Sequence, residues 1–186
     1  MIRRQFELFL MAMIFFTRIP VRVKNYNPEL LNNSSLYFPM IGGIVSSFGI
    51  IFYLLVEPVF GINLAVLFSM IATILITGAF HEDGFADFCD GFGGGYTKER
   101  ILEIMKDSRI GAFGAIGLFL ILFLKWSLLM QIQAVLFPLV SFFGHLLSRY
   151  CILFIMYFLE YVSNDGKSKP IASGMNIKIL AIASFY

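Results

Sequence analysis

The chain has 186 residues, 59% of them hydrophobic and 14% charged, with a mean hydropathy of +0.82. A soluble domain is roughly 45–50% apolar and 25% charged, so water is not the main solvent of this protein. The net charge of +2 is small and the basic residues are scattered, which excludes a nucleic-acid-binding surface. Cys89 and Cys151 sit in different segments without paired spacing, indicating neither a disulfide framework nor a zinc site.

At the N-terminus, Arg3 and Arg4 precede the apolar run 6–16, which imitates a secretory signal but lacks a small-x-small cleavage site. Thr17, Arg18, Ile19 and Pro20 follow instead, predicting a retained amphipathic helix, interfacial or packed on a bundle, that stops at the proline. A helix crosses a bilayer in about 20 apolar residues. Segments 38–56, 58–80, 110–130 and 134–159 meet that length, and a fifth apolar stretch, 177–186, starts without reaching a polar flank, so the sequence reads as cut within a span. Arg3, Arg4, Arg18, Arg22 and Lys24 precede the first span; Lys98, Arg100, Lys106 and Arg109 lie between the second and third; Lys167, Lys169 and Lys178 follow the fourth. The connections near Glu57 and at 131–133 lack Lys and Arg, apart from Lys125 near a span end, beside Trp126. By the positive-inside rule the N-terminus, 81–109 and 161–178 are cytoplasmic. Gly93, Gly94 and Gly95 predict a flexible break, after which Thr97 caps a short helix through Lys106 with Ile101, Leu102 and Met105 on one side. The expected fold is all-α: one polytopic membrane helix bundle over 1–186, with an N-terminal amphipathic helix and a cytoplasmic acidic loop or helix.

The informative stretch runs from His81 through Glu82, Asp83, Gly84, Phe85, Ala86, Asp87, Phe88, Cys89 and Asp90 to Gly91, directly after the second span. If the helix continues, Asp83, Asp87 and Asp90 fall at i, i+4 and i+7 on one face. Converging carboxylates repel and raise one another's pKa, and at a membrane they demand a cation. All-oxygen ligands select Mg²⁺ or Mn²⁺, and Mg²⁺ binds through one or two carboxylates plus substrate phosphates, which points to a phosphorylated ligand. The bland reading is a solvated cap at the membrane surface. An EF-hand is excluded, because its D-x-D-x-D-G spacing is absent. Cys89 is not expected as a ligand of a hard ion.

Just before the third span, Asp107, Ser108 and Arg109 precede Gly111 and Gly114, offering a carboxylate, a hydroxyl, a guanidinium for bidentate phosphate contact, and glycines that admit a bulky ligand. Read blandly, they are a positive-inside flank with small residues for helix packing. His145 and Arg149 are i, i+4 in the fourth span and must point into the bundle, toward substrate phosphate or toward a structural carboxylate. His81 is either a general base or an orienting partner of the aspartates.

Taken together these residues resemble the cobalamin synthase family, the adenosylcobinamide-GDP ribazoletransferases. The resemblance rests on Phe16-Thr17-Arg18-Ile19-Pro20, Tyr37-Phe38-Pro39 with Gly42, Thr77-Gly78 running into His81-x-Asp83-Gly84-x-Ala86-Asp87-x-x-Asp90-Gly91, the run from Leu102 to Gly111, and Ser148-Arg149. It implies a Mg²⁺-dependent transferase that joins GDP-activated adenosylcobinamide to α-ribazole or its 5′-phosphate and releases GMP, in the cytoplasmic (inner) membrane, late in vitamin B12 assembly. Carried onto this chain, it implies metal ligands at Asp83, Asp87, Asp107 and Glu82, proton transfer by Asp90 or His81, and substrate-phosphate contacts from Arg109, Arg149, Ser108 and Arg18. The partners implied are those two substrates and membrane lipid, with no nucleic acid; a homo-oligomer is left open. Family members are longer, with further helices and a late acidic motif that this chain lacks, so the activity of this short form is a separate question.

Three rivals stand beside this reading. A CDP-alcohol phosphotransferase also carries aspartates at helix ends, but its D-G-x-x-A-R pattern fails at Asp87 and its later aspartate motif is absent. A cation transporter would need acidic residues deep in several spans, and these spans contain almost none. A non-catalytic scaffold would leave the clustered aspartates without a reason.

Overall fold

A computed structural model describes residues 2–23, 28–162 and 176–184, and every regular element among them is helical. In chain order these are α1 (Ile2–Phe16), α2 (Pro28–Ser34), a 3-10 turn (Ser35–Tyr37), α3 (Phe38–Thr77), α4 (Phe80–Gly94), α5 (Lys98–Ile104), α6 (Ala112–Leu129), α7 (Phe137–Phe158) and α8 (Ile177–Ala183). Three helical stretches are long and apolar enough to cross a membrane: Leu31–Thr77, Ala112–Leu129 and Phe137–Phe158. On α6, the side chains of Phe119, Leu120, Phe123, Leu124 and Leu128 are exposed, a surface suited to lipid.

The first predicted span and most of the second lie within α3, which stops at Thr77 short of the expected residue 80, and the chain turns at Gly61 rather than at Glu57. Gly61 has φ 76° and ψ 172°, a conformation that needs glycine, and Pro58 lies just upstream in the helix. In a straight helix Tyr53 and Met70 would stand about 25 Å apart. Instead they share one buried core with Ala65, Val66 and Phe137, so the chain doubles back at Gly61.

The described residues group into two compact units, 1–51 with 138–186, and 52–137. In the first unit, α1 buries Leu8, Met11, Ala12 and Phe16. The Phe16 ring meets Phe38 edge-on at 4.4 Å, and the Tyr37 hydroxyl donates to Gln5 Oε1 at 2.8 Å. Of the two placements expected for the N-terminal helix, the packed one is found. Thr17 ends it: its hydroxyl donates to the Met13 carbonyl at 2.7 Å and accepts from the Ile19 amide at 3.3 Å. Farther along, α3 and α7 meet through small residues, with Gly42 against the His145 backbone and a 3.1 Å hydrogen bond between the Ser46 and Ser141 hydroxyls. Capped by the Asn176 side chain, α8 ends with Ser184 hydrogen-bonded to the Tyr150 hydroxyl. Lys24, Lys167 and Lys169, used above for orientation, lie outside the described residues, as do 185–186 of the fifth apolar stretch.

In the second unit, Tyr53 stacks on Phe137 at 4.0 Å, and Trp126, Leu129 and Ile132 pack around that core. The Trp126 indole N–H donates to the Asn63 carbonyl at 3.4 Å, so its polar edge is satisfied while the ring stays apolar.

A side chain at Gly42 has no room, since a Cβ there would strike the His145 carbonyl, which is backbone and cannot rotate away. Gly42→Ala is expected to destabilise the protein by about 1–3 kcal/mol, the usual cost of overpacking. Thermal unfolding in detergent checks this, and an unchanged melting temperature would contradict the α3–α7 contact.

Candidate active site

The acidic stretch is a helix of its own, not a continuation of the second span. Gly78 adopts φ 67° and donates to the Leu75 carbonyl at 3.2 Å, while the Ala79 amide donates to the Ile74 carbonyl at 2.9 Å. This paired pattern is a Schellman stop with glycine at the left-handed position. Ala79 is left-handed too, at φ 59°, a conformation that costs a non-glycine residue on the order of 1 kcal/mol. From there a new helix starts, with the Asp83 amide donating to the Ala79 carbonyl at 2.8 Å. Because α4 is regular from Phe80 to Gly94, the i, i+4, i+7 spacing of Asp83, Asp87 and Asp90 survives the break.

Asp90 faces α6. Its Oδ2 accepts from the Gly111 amide at 2.7 Å and its Oδ1 from the Gly114 amide at 2.8 Å. These N–H groups belong to the first turn of α6, where no intrahelical acceptor exists, so the carboxylate caps one helix from another. Glycine is needed for this fit: a Cβ on Gly111 or Gly114 would collide with the carboxylate, and one on Gly117 with the Cys89 sulfur. The glycines read in sequence as room for a ligand therefore make room for α4. The glycine run after Asp90 likewise packs rather than flexes. Met105 and Ile101 of the α5 segment sit against Gly91, Ile101 against Gly95, and the Phe113 ring against Gly93. Thr97 caps α5 as expected, accepting from the Arg100 amide at 3.3 Å, and the helix ends at Ile104.

Asp83 is exposed and Asp87 half-buried. Burial, together with the neighbouring charges of Asp83 and Asp90, pushes the Asp87 carboxyl above the ordinary carboxylate range. Among the described residues no ion pair neutralises Asp83 or Asp87, and the Glu82 Oε2 atom is buried without a hydrogen-bond partner. Three carboxylates do not converge into a ready-made cage: among the described residues no group of three acidic, His or Cys side chains is arranged to hold a metal. The donor chemistry still suits a hard divalent cation, because these oxygens are acceptor-only and lack positive partners. Mg²⁺ also needs only one or two protein carboxylates when substrate phosphates complete its shell.

Asp107 and Arg109, expected on metal and phosphate respectively, hold each other. Arg109 Nη2 donates to Asp107 Oδ2 at 2.6 Å, Nε to Oδ1 at 3.0 Å, and the Arg109 amide to Oδ1 at 3.1 Å. The guanidinium lowers the Asp107 carboxyl to about 2. Ser108, between them, is exposed. In the first unit, Arg149 is buried, its Nη1 donating to His145 Nδ1 at 3.1 Å and to the Ser148 hydroxyl at 2.9 Å. With Nδ1 accepting, the imidazole proton sits on Nε2. Arg18 is exposed beyond the Thr17 turn, and His81 lies beside the Phe80 ring at 5.4 Å. The sequence reading missed the 111, 114, 117 glycine spacing as the seat of Asp90. Its signal was the three-residue repeat at the entry to an apolar helix.

An apolar helical chain with three helical stretches able to cross a membrane, and an acidic helix at the end of one of them clasped to the next, defines the class of polytopic membrane-helix proteins. Residues 8–186 match the cobalamin-5-phosphate synthase family. The chain is 45% identical over 180 residues to an adenosylcobinamide-GDP ribazoletransferase of Shewanella amazonensis, covering 94% of this chain and 69% of that protein. Proteins of the same name match from Leptospira interrogans, at 42% identity over 100% of this chain and 72% of theirs, and from Vibrio cholerae, at 41% over 98% and 73%. The chain belongs to the cobalamin-5-phosphate synthase family. No solved structure matches it.

The two shifted carboxyls titrate in opposite senses. Asp107, lowered from 3.8 to about 2, keeps its contribution to the Arg109 pair above its unfolded value and loses it as pH falls toward 2. Asp87, raised above 3.8, takes up its proton earlier on acidification, which relieves its burial and repulsion. Carboxyl-carbon NMR titration in micelles should place the Asp87 midpoint above that of Asp107, and the reverse order would contradict the described environments.

Proposed function

We propose that this chain joins adenosylcobinamide-GDP to α-ribazole or its 5′-phosphate with release of GMP, using Mg²⁺ held by Asp83 and Asp87 with Glu82 nearby. The carrying observation is the pair Asp83 and Asp87, one turn apart on α4, with the Asp87 carboxyl held above its ordinary range and no ion pair to either among the described residues. Family membership supports the reaction class, and the relatives' name supplies the substrates.

In the balanced step, the acceptor hydroxyl oxygen of ribazole forms a bond to the phosphorus on the cobinamide side of the diphosphate. The bond from that phosphorus to the bridging oxygen breaks, GMP leaves with the electron pair, and the hydroxyl proton passes to a base. When bound, Mg²⁺ supplies neutralisation of the diphosphate oxygens. His81 is proposed as the proton acceptor, because both Asp90 oxygens already accept from backbone amides. Arg109 is proposed to exchange from Asp107 onto phosphate oxygens, with Ser108 beside it, leaving Asp107 for the metal. Arg149 and Arg18 are proposed as phosphate contacts on their chemistry alone. The Lys and Arg distribution supports a cytoplasmic N-terminus and acidic helix in a bacterial or archaeal inner membrane.

Asp83→Asn and Asp87→Asn in the full chain should each lower Mg²⁺-dependent GMP release by on the order of 10²-fold or more, as expected for removing charge at a phosphoryl-transfer centre. Asp87→Asn should leave thermal stability equal or higher, because it removes a repelled, half-buried charge. Unchanged turnover in both variants would refute the metal assignment. Ion flux in proteoliposomes without nucleotide substrate would favour a transporter instead.

A further inference from the structure

We infer that Asp90 is a positioning residue that clasps α4 to α6 and so sets where Asp83 and Asp87 stand; the inference rests on the reading just proposed. Both of its oxygens are engaged, at 2.7 and 2.8 Å, by the amides of Gly111 and Gly114. To reach a substrate hydroxyl, the carboxylate would have to abandon two first-turn amides that have no other acceptor in their helix.

The surroundings are shaped for this one arrangement. Gly111, Gly114 and Gly117 recur every third residue along α6, and a side chain at any of them would strike Asp90 or Cys89. At Gly114 the added atom would also meet the Ala86 carbonyl, so the two backbones approach closely one turn before Asp90. Asp87 lies one residue beyond Ala86 on the same helix, and Gly111 follows the Asp107 to Arg109 segment by two residues. One clasp thus ties the rotation and height of the acidic helix to the segment that carries the arginine. Partners that orient metal ligands without touching the metal typically govern affinity by 10–100-fold.

Two variants and one wild-type measurement test this in the full chain, in detergent. Asp90→Asn replaces one acceptor oxygen by a donor, while Gly114→Ala keeps every carboxylate group chemically intact and pushes the Asp90 side chain off its seat. Positioning predicts that both weaken Mn²⁺ binding, read by electron paramagnetic resonance without substrate, by roughly tenfold or more. Both should lower GMP release in step, with partial recovery at high Mg²⁺. If Asp90→Asn abolishes turnover at every Mg²⁺ concentration while Gly114→Ala keeps wild-type turnover and Mn²⁺ affinity, Asp90 acts chemically and the inference is overturned. Mn²⁺ affinity at the wild-type level in both variants overturns it as well. Should a variant fail to fold, hydrogen exchange in the wild type still decides: the Gly111 and Gly114 amides should be protected, and exchange at the rate of free amides would sink the clasp. A wild-type chain that binds Mn²⁺ but releases no GMP would count against the proposed reaction, while the binding and exchange measurements still test the clasp.

Discussion

The constraint on which the second unit depends is the distance between α4 and α6. Helices normally pack at about 8–10 Å between axes, the spacing set by the side chains between them. At Gly111, Gly114 and Gly117 those side chains are reduced to hydrogen, and the Asp90 carboxylate reaches the open amides of the α6 first turn. At the buried Gly114, an amide left without an acceptor would cost roughly 1–3 kcal/mol. A carboxylate at the end of a span is also costly alone, and here the positive end of the α6 dipole offsets it. The glycine spacing and the aspartate form one device, since the glycines without the carboxylate would leave a gap and the carboxylate without the glycines would not fit.

Charge is compensated unevenly along this region. Asp90 is satisfied by backbone amides and Asp107 by the Arg109 fork. Asp83 and Asp87 have no such ion pair among the described residues, and burial, together with repulsion from Asp83 and Asp90, pushes the Asp87 carboxyl above its ordinary range. Residue type alone cannot make that distinction, because all four are aspartates within one acidic and basic stretch. What separates them is the element each one faces.

That difference sets what was legible in the sequence. Apolar length located helices able to cross a membrane, since α6 and α7 begin and end within one to three residues of the expected 110–130 and 134–159. The position of the turn in α3 was not legible at Glu57, because Glu57 marks a polar residue while the reversal needs the backbone freedom that only Gly61 provides. Helical spacing put Asp83, Asp87 and Asp90 on one face, which the regular α4 bears out. It did not reveal that Asp90 meets α6, a contact between residues more than twenty apart in sequence. Nor did it reveal the stop at Gly78 and Ala79: the cue was one glycine, and the left-handed alanine after it follows no local preference. The 93–95 glycines read as a hinge because glycine loosens an isolated chain. In the fold they lie under Ile101, Ile104 and Phe113, where absence of a side chain tightens the packing instead.

With Asp90 committed to α6, the proposed metal site has fewer protein charges than the aspartate count suggests, and this bears on the order of events. Three carboxylates preassembled around a point would repel strongly when empty and would hold a cation tightly whether or not substrate was present. On the proposed reading, two carboxylates a turn apart tolerate the empty state, with the Asp87 carboxyl pushed above its ordinary range by burial and its neighbours, and would leave several Mg²⁺ positions for oxygens from outside the protein. A diphosphate supplies adjacent oxygens with the matching charge, and a monophosphate or an uncharged alcohol supplies fewer. On the proposed reading, discrimination for a diphosphate substrate then arises from incomplete coordination by the protein. On the same reading Arg109 would exchange from Asp107 to phosphate at little cost, because the Arg109–Asp107 pair is exposed and an incoming anion would replace one partner while a cation replaces the other.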